Sequence, residues 1–489
     1  MIVLFNPSST RSPRKPLPMS LLALGSVLEG EFDYCIVDGN TETDPVGKIL
    51  AVHAATPLSA VGVSVMPGPQ LWAAVMRCRQ IKRMLPGVPI IWGGYFPSQH
   101  AEACLSESTV DICVRGQGEA TMLELLRALR DGGALGDVAG ITFREGGAIR
   151  QTGTRALTPL DQLPDWPYHR LPMERYLHKH YLGNRVAAHH SSFGCPFACT
   201  FCAVVGMANR TWVAQSPERV GLVLDRLHRD FGADAIQFHD MDFFISESRT
   251  QASTERLQSL GMTWWALGRV DELMRYKAAT WEAMRRSGLK MVFCGAESGS
   301  SDMLESMNKG GTSSAEQTLE LAARMKSYGV VPEFSFVVGN PPDPAADLAQ
   351  TLAFIRKVKQ VNPATEIIFY VYSPVPMAGG FFEAAQNNGF AFPDTLDGWV
   401  SDRWQAFALR RDPSTPWSRG DVRKRVRDFE SVLNAYYPTV TDMRLTSGRR
   451  RLLKAAAAWR YNTESYSRPV ELNLLQRAFR YQRPETTGF

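Results

Sequence analysis

Two successive series of short apolar runs, separated by stretches with helical spacing, occupy the chain up to about residue 395. The first series comprises Ile2–Phe5, Tyr34–Val37, Ala60–Val65, Pro89–Trp92 and Asp111–Val114. Helical stretches at Leu17–Gly30, Leu71–Leu85 and Glu119–Arg130 alternate with these runs. Such alternation, with Gly-rich turns after the strands, predicts an α/β fold that opens with a doubly wound, Rossmann-like parallel sheet. Ligands bind such sheets at the carboxyl ends of the strands. Ile141–Gln151, with Gly146 and Gly147 at its centre, predicts a closing hairpin.

The second series comprises Ala187–Ser191, Ala235–Phe238, Trp264–Leu267, Met291–Cys294, Glu333–Val338 and Ile367–Tyr372. Six βα units are too few for an eight-fold barrel, so a partial (β/α)6 barrel is expected. The domain boundaries follow: 1–150, a Pro-rich linker over 151–183, the barrel over 184–395, and a helical basic region over 396–489.

At 489 residues the chain is too long for one ordinary core, and its 44% hydrophobic content excludes a disordered or fibrous chain. No apolar run reaches the roughly 18 residues that span a bilayer, and the start lacks the order of a secretory signal, so a cytoplasmic location is expected. The 8 cysteines are too sparse for a disulfide framework. The net charge of +5 is unevenly placed, because residues 401–489 hold 18 Lys and Arg against 9 Asp and Glu.

Three of the cysteines fall within eight positions, in Cys195-Pro-Phe-Ala-Cys199-Thr-Phe-Cys202, directly after the first strand of the second series. Three thiolates on one short loop can each hold one iron of a four-iron, four-sulfur cluster, leaving the fourth iron open to a substrate or cofactor. Zinc is the rival reading; it needs a fourth ligand, and only His189 and His190 are near.

The CxxxCxxC spacing, with Phe201 before the last cysteine, resembles the radical SAM superfamily, whose members bind a [4Fe-4S] cluster that chelates S-adenosylmethionine (SAM). The resemblance extends to the subgroup with an N-terminal cobalamin-binding domain. It is carried by Phe238-His-Asp-Met-Asp-Phe243, Gly268-Arg-Val-Asp271, Gly295-Ala-Glu-Ser-Gly-Ser300 with Met307-Asn-Lys309, Val337-Val-Gly-Asn-Pro-Pro342 and Tyr372-Ser-Pro-Val-Pro376. It implies that Cys195, Cys199 and Cys202 ligate the cluster and that Phe201 adjoins SAM. Asp240 and Asp242 would lie where the SAM amino group is held, Arg269 and Glu297 near its carboxylate or ribose, and Gly339 against the adenine. The Gly-Gly-Glu triplet commoner at the amino-group position is absent. Within the chain itself, Arg269 and Glu297 could instead pair with each other or with Asp271.

In the first domain, Gly62–Gly68, Trp92–Ser98 and Val114–Glu119 resemble the strand-end loops of the cobalamin domain. The implied cobalamin contacts are Asp38, Ser64, Gly93, Gly94, Ser98, Gly116 and Glu119. The Asp-x-His-x-x-Gly motif that supplies an axial histidine elsewhere is missing; His53 and His100 are the nearest histidines, and His100 reads as a surface residue.

The resemblance therefore implies a cobalamin-dependent radical SAM enzyme that generates a 5′-deoxyadenosyl radical, with C-methylation of an unactivated carbon as the leading reaction. Radical oxidation or ring formation without methyl transfer is the alternative. A cofactor-gated sensor is a remote third. The expected partners are a small-molecule substrate, apolar or lipid-linked, and an electron donor such as flavodoxin or ferredoxin. Arg423–Arg425 and Arg449–Arg451, interleaved with Trp459, Tyr461, Phe479 and Tyr481, read first as a solvated helix face and second as a peripheral membrane contact; nucleic acid is the weaker partner.

Overall fold

The computed structural model describes residues 1–309, 313–376, 380–408, 415–417 and 420–484. The first sheet contains β1 (Ile2–Asn6), β2 (Tyr34–Asp38), β3 (Ala60–Ser64), β4 (Ile90–Gly93), β5 (Ile112–Val114), β6 (Ile141–Glu145) and β7 (Ala148–Gln151). Its strand order is 2-1-3-4-5-6-7, parallel from β2 to β5 and antiparallel for the closing hairpin. The order reverses between β1 and β3, so the crevice that a doubly wound sheet offers to ligands opens beyond Asn6 and Ser64. Continuous Val/Ile/Leu/Phe runs such as Ile2–Phe5 suit strands covered on both faces.

The cluster loop is framed by β8 (Val186–His189), β9 (Ser192–Gly194) and β10 (Trp212–Ala214), with β9 and β10 pairing antiparallel. β11 (Ala235–Phe238), β12 (Thr263–Arg269), β13 (Leu289–Glu297), β14 (Val331–Val338) and β15 (Glu366–Val371) complete a second sheet. Its order, 15-14-13-12-11-8, is that of consecutive βα units, all parallel. The outward faces of these strands and the surrounding helices form one large core, which includes Phe238, Phe243, Phe244, Trp264 and Phe334.

The opposite register faces the lumen. It runs Ala188 beside Gln237, Gln237 beside Trp265, Leu267 beside Phe293, Phe293 beside Glu333, and Glu333 beside Glu366. At the carboxyl end of this face Ala188, His190, Gln237, His239, Leu267, Phe293 and Tyr370 are only half-buried. The lumen is therefore open at the end where the cysteine loop sits.

Two parts of the chain differ from expectation. Phe390, expected in the barrel, and Leu396, Trp399, Trp404 and Phe407, expected in the basic region after 395, join the core of the first domain around Phe96. His100 is not a surface residue; it packs between Phe96, Phe392 and Trp399, and burial pushes its imidazole down to about 4. In the tail, Tyr461 stacks on Tyr436 in the core and Tyr481 bonds Thr439, which leaves Trp459 as the exposed ring. Arg450 is tied to backbone carbonyls of Thr439 and Asp442 rather than solvated. No helix among the described residues is long and apolar enough to cross a membrane.

Candidate active site

The cysteine loop leaves β9 through Gly194, whose φ of 84° and whose close approach to the Thr211 carbonyl admit no side chain. Thr200 N donates to Met307 O at 3.0 Å and Asn308 Nδ2 donates to Ala198 O at 3.0 Å, so Met307-Asn-Lys309 anchors the loop across the barrel mouth. Cys199 is buried, and Cys195 and Cys202 are half-buried. Burial, with the nearby Asp242, Cys202 and Cys199 acting in the same direction, pushes the Cys195 thiol up to about 12.

Among the described residues no three His, Cys, Asp or Glu side chains converge on one point as a single ion requires. A four-iron cluster instead places each thiolate on a separate iron, which this loop suits. Of the two histidines that could complete a zinc site, His189 has both ring nitrogens engaged, Nδ1 with Tyr168 and Nε2 with Gln215.

Arg269, at the end of β12, joins the loop to the barrel. Its Nη1 lies 3.3 Å from Cys199 Sγ, its Nε and Nη2 grip Asp271 at 2.9 Å each, and its plane lies 3.7 Å from the Phe197 ring centre. A third bond reaches Lys309 O at 2.7 Å. Glu297 pairs with Lys309, not with Arg269, and holds a left-handed φ of 63° where β13 bulges. Backbone strain of this kind persists only when neighbours fix it, as the buried Lys309 ammonium does here. Lys309 also lies 5.8 Å from the Phe201 ring centre.

The two aspartates of the β11 turn have different surroundings. Asp240 is wholly engaged: Ser191 N and Oγ both donate to it at 2.5 Å, and Arg249 clamps Ser191 from behind. Asp242 accepts one bond, from Phe244 N at 3.0 Å, and its Oδ2 is buried without a partner. Desolvation pushes Asp242 up to about 7. An orphaned carboxylate oxygen beside the cysteine loop fits an ammonium group, and Asn340 Oδ1, also buried and unpartnered, adds an acceptor next to Gly339. Gly339 itself has a φ of 78°, and its carbonyl accepts from Trp417 Nε1 at 3.2 Å.

In the first domain the expected residues divide similarly. Ser64 receives a bond from Ser20 at 2.9 Å across the β1/β3 crevice, while Met66 and Trp72 stand half-exposed beside it. Ser98 Oγ accepts from Gly116 N at 3.0 Å and donates to Gly94 O at 2.6 Å, so it ties two strand-end loops together. Gly94 requires glycine at φ 97°, whereas a Cβ on Gly93 would meet only ordinary contacts at 3.8 Å. Glu119 opens the helix after β5, and burial raises its carboxyl. Both Asp38 oxygens are engaged inside the protein, by Asn6 Nδ2 and Tyr176 Oη at 2.8 Å each. Ser64, Gly93 and Gly116, small residues at successive strand ends, fit the approach of a corrin to the backbone. His53 sits in the last turn of the helix after β2, at the end of the sheet opposite these residues.

The two halves meet at the site. Gln99 Nε2 donates to Ala203 O at 3.4 Å, and a Cβ on Gly116 would lie 3.3 Å from Met207 O. The segment that continues the cysteine loop therefore rests on the strand ends of the first domain. Sequence reasoning missed Ser20, Gln70, which donates to Asn6 Oδ1 at 2.7 Å, Ser191 and Arg249 as site residues; each is a common polar type whose role depends on a partner distant in the chain.

The fold and this cysteine loop define a radical SAM protein with a corrin-binding sheet in front of the barrel. The B12 binding domain model matches residues 12–126 and the radical SAM superfamily model matches residues 190–355. An uncharacterised methyltransferase of Pyrococcus horikoshii is 29% identical over 70% of this chain and 73% of its own length. The anaerobic magnesium-protoporphyrin IX monomethyl ester cyclase of Synechocystis is 26% identical, over 65% of this chain and 64% of the cyclase. Among solved structures, the cobalamin-dependent SAM radical enzyme OxsB with aqua-cobalamin and SAM bound superposes with a TM-score of 0.66 at 17% identity, covering 98% of this chain and 75% of that one. The chain belongs to the radical SAM enzymes that carry an N-terminal B12-binding domain, and its cofactors are a [4Fe-4S] cluster, SAM and cobalamin.

Proposed function

We propose that the chain is a methyltransferase that adds a methyl group to an unactivated carbon of an uncharged small molecule seated in the barrel lumen. The observation that carries this reading is the contact of the cysteine-loop segment 203–207 with Gln99 and Gly116, because it sets the cluster and the corrin floor on one interface. When bound, the cluster and SAM supply a carbon-centred radical, and the cobalamin supplies the methyl group.

The chain's own residues hold and screen the reactants. Cys195, Cys199 and Cys202 ligate the cluster, and Arg269 offsets charge at Cys199. Asp242 Oδ2 receives the SAM ammonium, while the Glu297–Lys309 pair and Asn340 border the rest of the nucleoside. Ser64, Gly93, Gly94 and Gly116 carry the corrin, with Ser98 fixing their loops. An external one-electron donor of the flavodoxin or ferredoxin class serves the cluster.

The lumen's own chemistry supports an uncharged substrate. Burial pushes His239 down to about 3 and lowers His190, so both present neutral imidazoles. Glu333, deeper in the lumen, is pushed up to about 8 and is protonated at neutral pH. Phe293, Tyr370 and Leu267 complete an aromatic and neutral-polar wall.

The likeness to the cyclase supports a second reading, radical ring formation without methyl transfer. Turnover with methyl-deuterated SAM separates the two. Methyl transfer gives labelled product with both S-adenosylhomocysteine and 5′-deoxyadenosine; ring formation gives 5′-deoxyadenosine and unlabelled product without S-adenosylhomocysteine.

A further inference from the structure

The helices Gly420–Tyr436 and Val470–Ala478 enclose a cleft of about 570 Å³. Lys424 and Arg427 line one wall, Arg477 and Arg480 the other, and Arg483 lies at the exit. Lys424, Arg427, Arg477 and Arg480 make no ion pair among the described residues. The acids nearby are committed elsewhere: Glu430 pairs with Arg483 at 2.5 Å, and Asp428 accepts from Arg468 N at 3.0 Å. The floor is neutral and polar, because Gln476 donates to Ser431 O at 2.9 Å and Tyr481 is held by Thr439.

We infer that this cleft is a binding site for a phosphate-bearing anion. Four unpaired cations facing one concavity repel each other, and a bound phosphate is the ligand chemistry that relieves this. Guanidinium forks match phosphate oxygens bidentately, and a cleft in which Lys424, Arg427, Arg477 and Arg480 outnumber the one lining carboxylate, Asp428, concentrates anions. The volume exceeds the needs of one phosphate and admits a diphosphate or a phosphate ester with part of its organic group. Helix 470–478 also exposes Val470 and Leu474, two turns and one turn before Arg477, so an apolar group attached to the phosphate would meet a matching surface. Two sources share this chemistry, a soluble phosphate ester and the headgroup of an anionic lipid.

The test uses the full-length holoenzyme and inorganic pyrophosphate in titration calorimetry. Submillimolar binding is expected, weakened at least roughly tenfold in Arg427→Gln/Arg477→Gln and less in Arg480→Gln. Arg451→Gln, an exposed cation outside the cleft, should bind as the wild type does. All three variants alter exposed side chains, and unchanged circular dichroism melts check their folding. Absence of pyrophosphate binding, or equal affinity in the double variant, would overturn the site. Sedimentation with phosphatidylcholine vesicles containing phosphatidic acid distinguishes the sources. Co-sedimentation that pyrophosphate competes away assigns a lipid headgroup, whereas pyrophosphate binding without vesicle binding assigns a soluble ester. Vesicle binding that the double variant retains would count against the cleft.

Discussion

Arg269 reaches the Cys199 sulfur at 3.3 Å while its other nitrogens hold Asp271 at 2.9 Å. Both side chains are buried, at 7% and 2% exposure. Removing one member of a buried pair leaves the other charge without its partner, at a cost of about 3–5 kcal/mol. Arg269→Ala is therefore expected to lower the thermal midpoint by several degrees and to reduce iron retained on purification. Adding Asp271→Asn to that background should recover part of the stability but not the iron. Equal midpoints in the single and double variants would show that the pair does not act as a unit.

The proposed role of Asp242 as acceptor of the SAM ammonium connects pH to cofactor affinity. Its carboxyl is raised to about 7 by desolvation, so ionisation, which an ammonium requires of its partner, is lost as pH falls below that value. SAM affinity of the wild type should fall as pH drops through about 7 and level off above it. Asp242→Asn should bind SAM at least roughly tenfold more weakly, with a flat pH profile and unchanged iron content. Wild-type pH dependence retained in the variant would remove Asp242 from the SAM site.

A second carboxyl connects pH to stability. Glu333 accepts from Trp265 Nε1 at 3.0 Å, lies beside Glu366 across the strand pair, and is pushed up to about 8 by burial. Its value in the folded chain is above the ordinary carboxylate value, so the stability it allows is fully present in acid and is lost as pH rises through about 8. Glu333→Gln preserves the acceptor for Trp265 and removes the titration. Chemical denaturation from about pH 5 to about pH 9 should give a flatter profile for the variant, which should be the more stable protein at the alkaline end.

The corrin floor is tested at Gly93, because a side chain there meets no close backbone contact, unlike one at Gly94. Gly93→Trp should lose cobalamin, read from its absorbance per chain, while keeping a full complement of iron. Retention of cobalamin would move the corrin away from the ends of β3 and β4.

Much of this site could be read from the sequence because its signals are local. The cysteine spacing lies within eight positions, and strands such as Ala235–Phe238 and Glu333–Val338 are short apolar runs between helical stretches. What escaped depends on contacts between distant segments. Lys309 was visible in Met307-Asn-Lys309, but its pairing with Glu297 depends on the bulge in β13. Asp240 and Asp242 look equivalent in sequence, and only Ser191, 49 residues earlier than Asp240, distinguishes them. The helix Pro45–Ala55 was overlooked because few of its residues are buried, and β9 and β10 because three-residue strands carry no usable periodicity. The packing of Trp399 and Trp404 against Phe96 and its neighbours in the first domain reflects a chain path that composition does not encode.

The contact of Gln99 with Ala203, and of Gly116 with Met207, brings the two cofactor domains face to face, and electron paramagnetic resonance tests it directly. Holoenzyme reduced so that both cob(II)alamin and the one-electron-reduced cluster are present should show dipolar broadening of the cobalt signal. That broadening should disappear in Cys195→Ala, Cys199→Ala and Cys202→Ala, which should lack the cluster. A cobalt signal equally sharp in the wild type and the cysteine variants would mean that cluster and corrin do not share one interface, and would contradict methyl transfer between them.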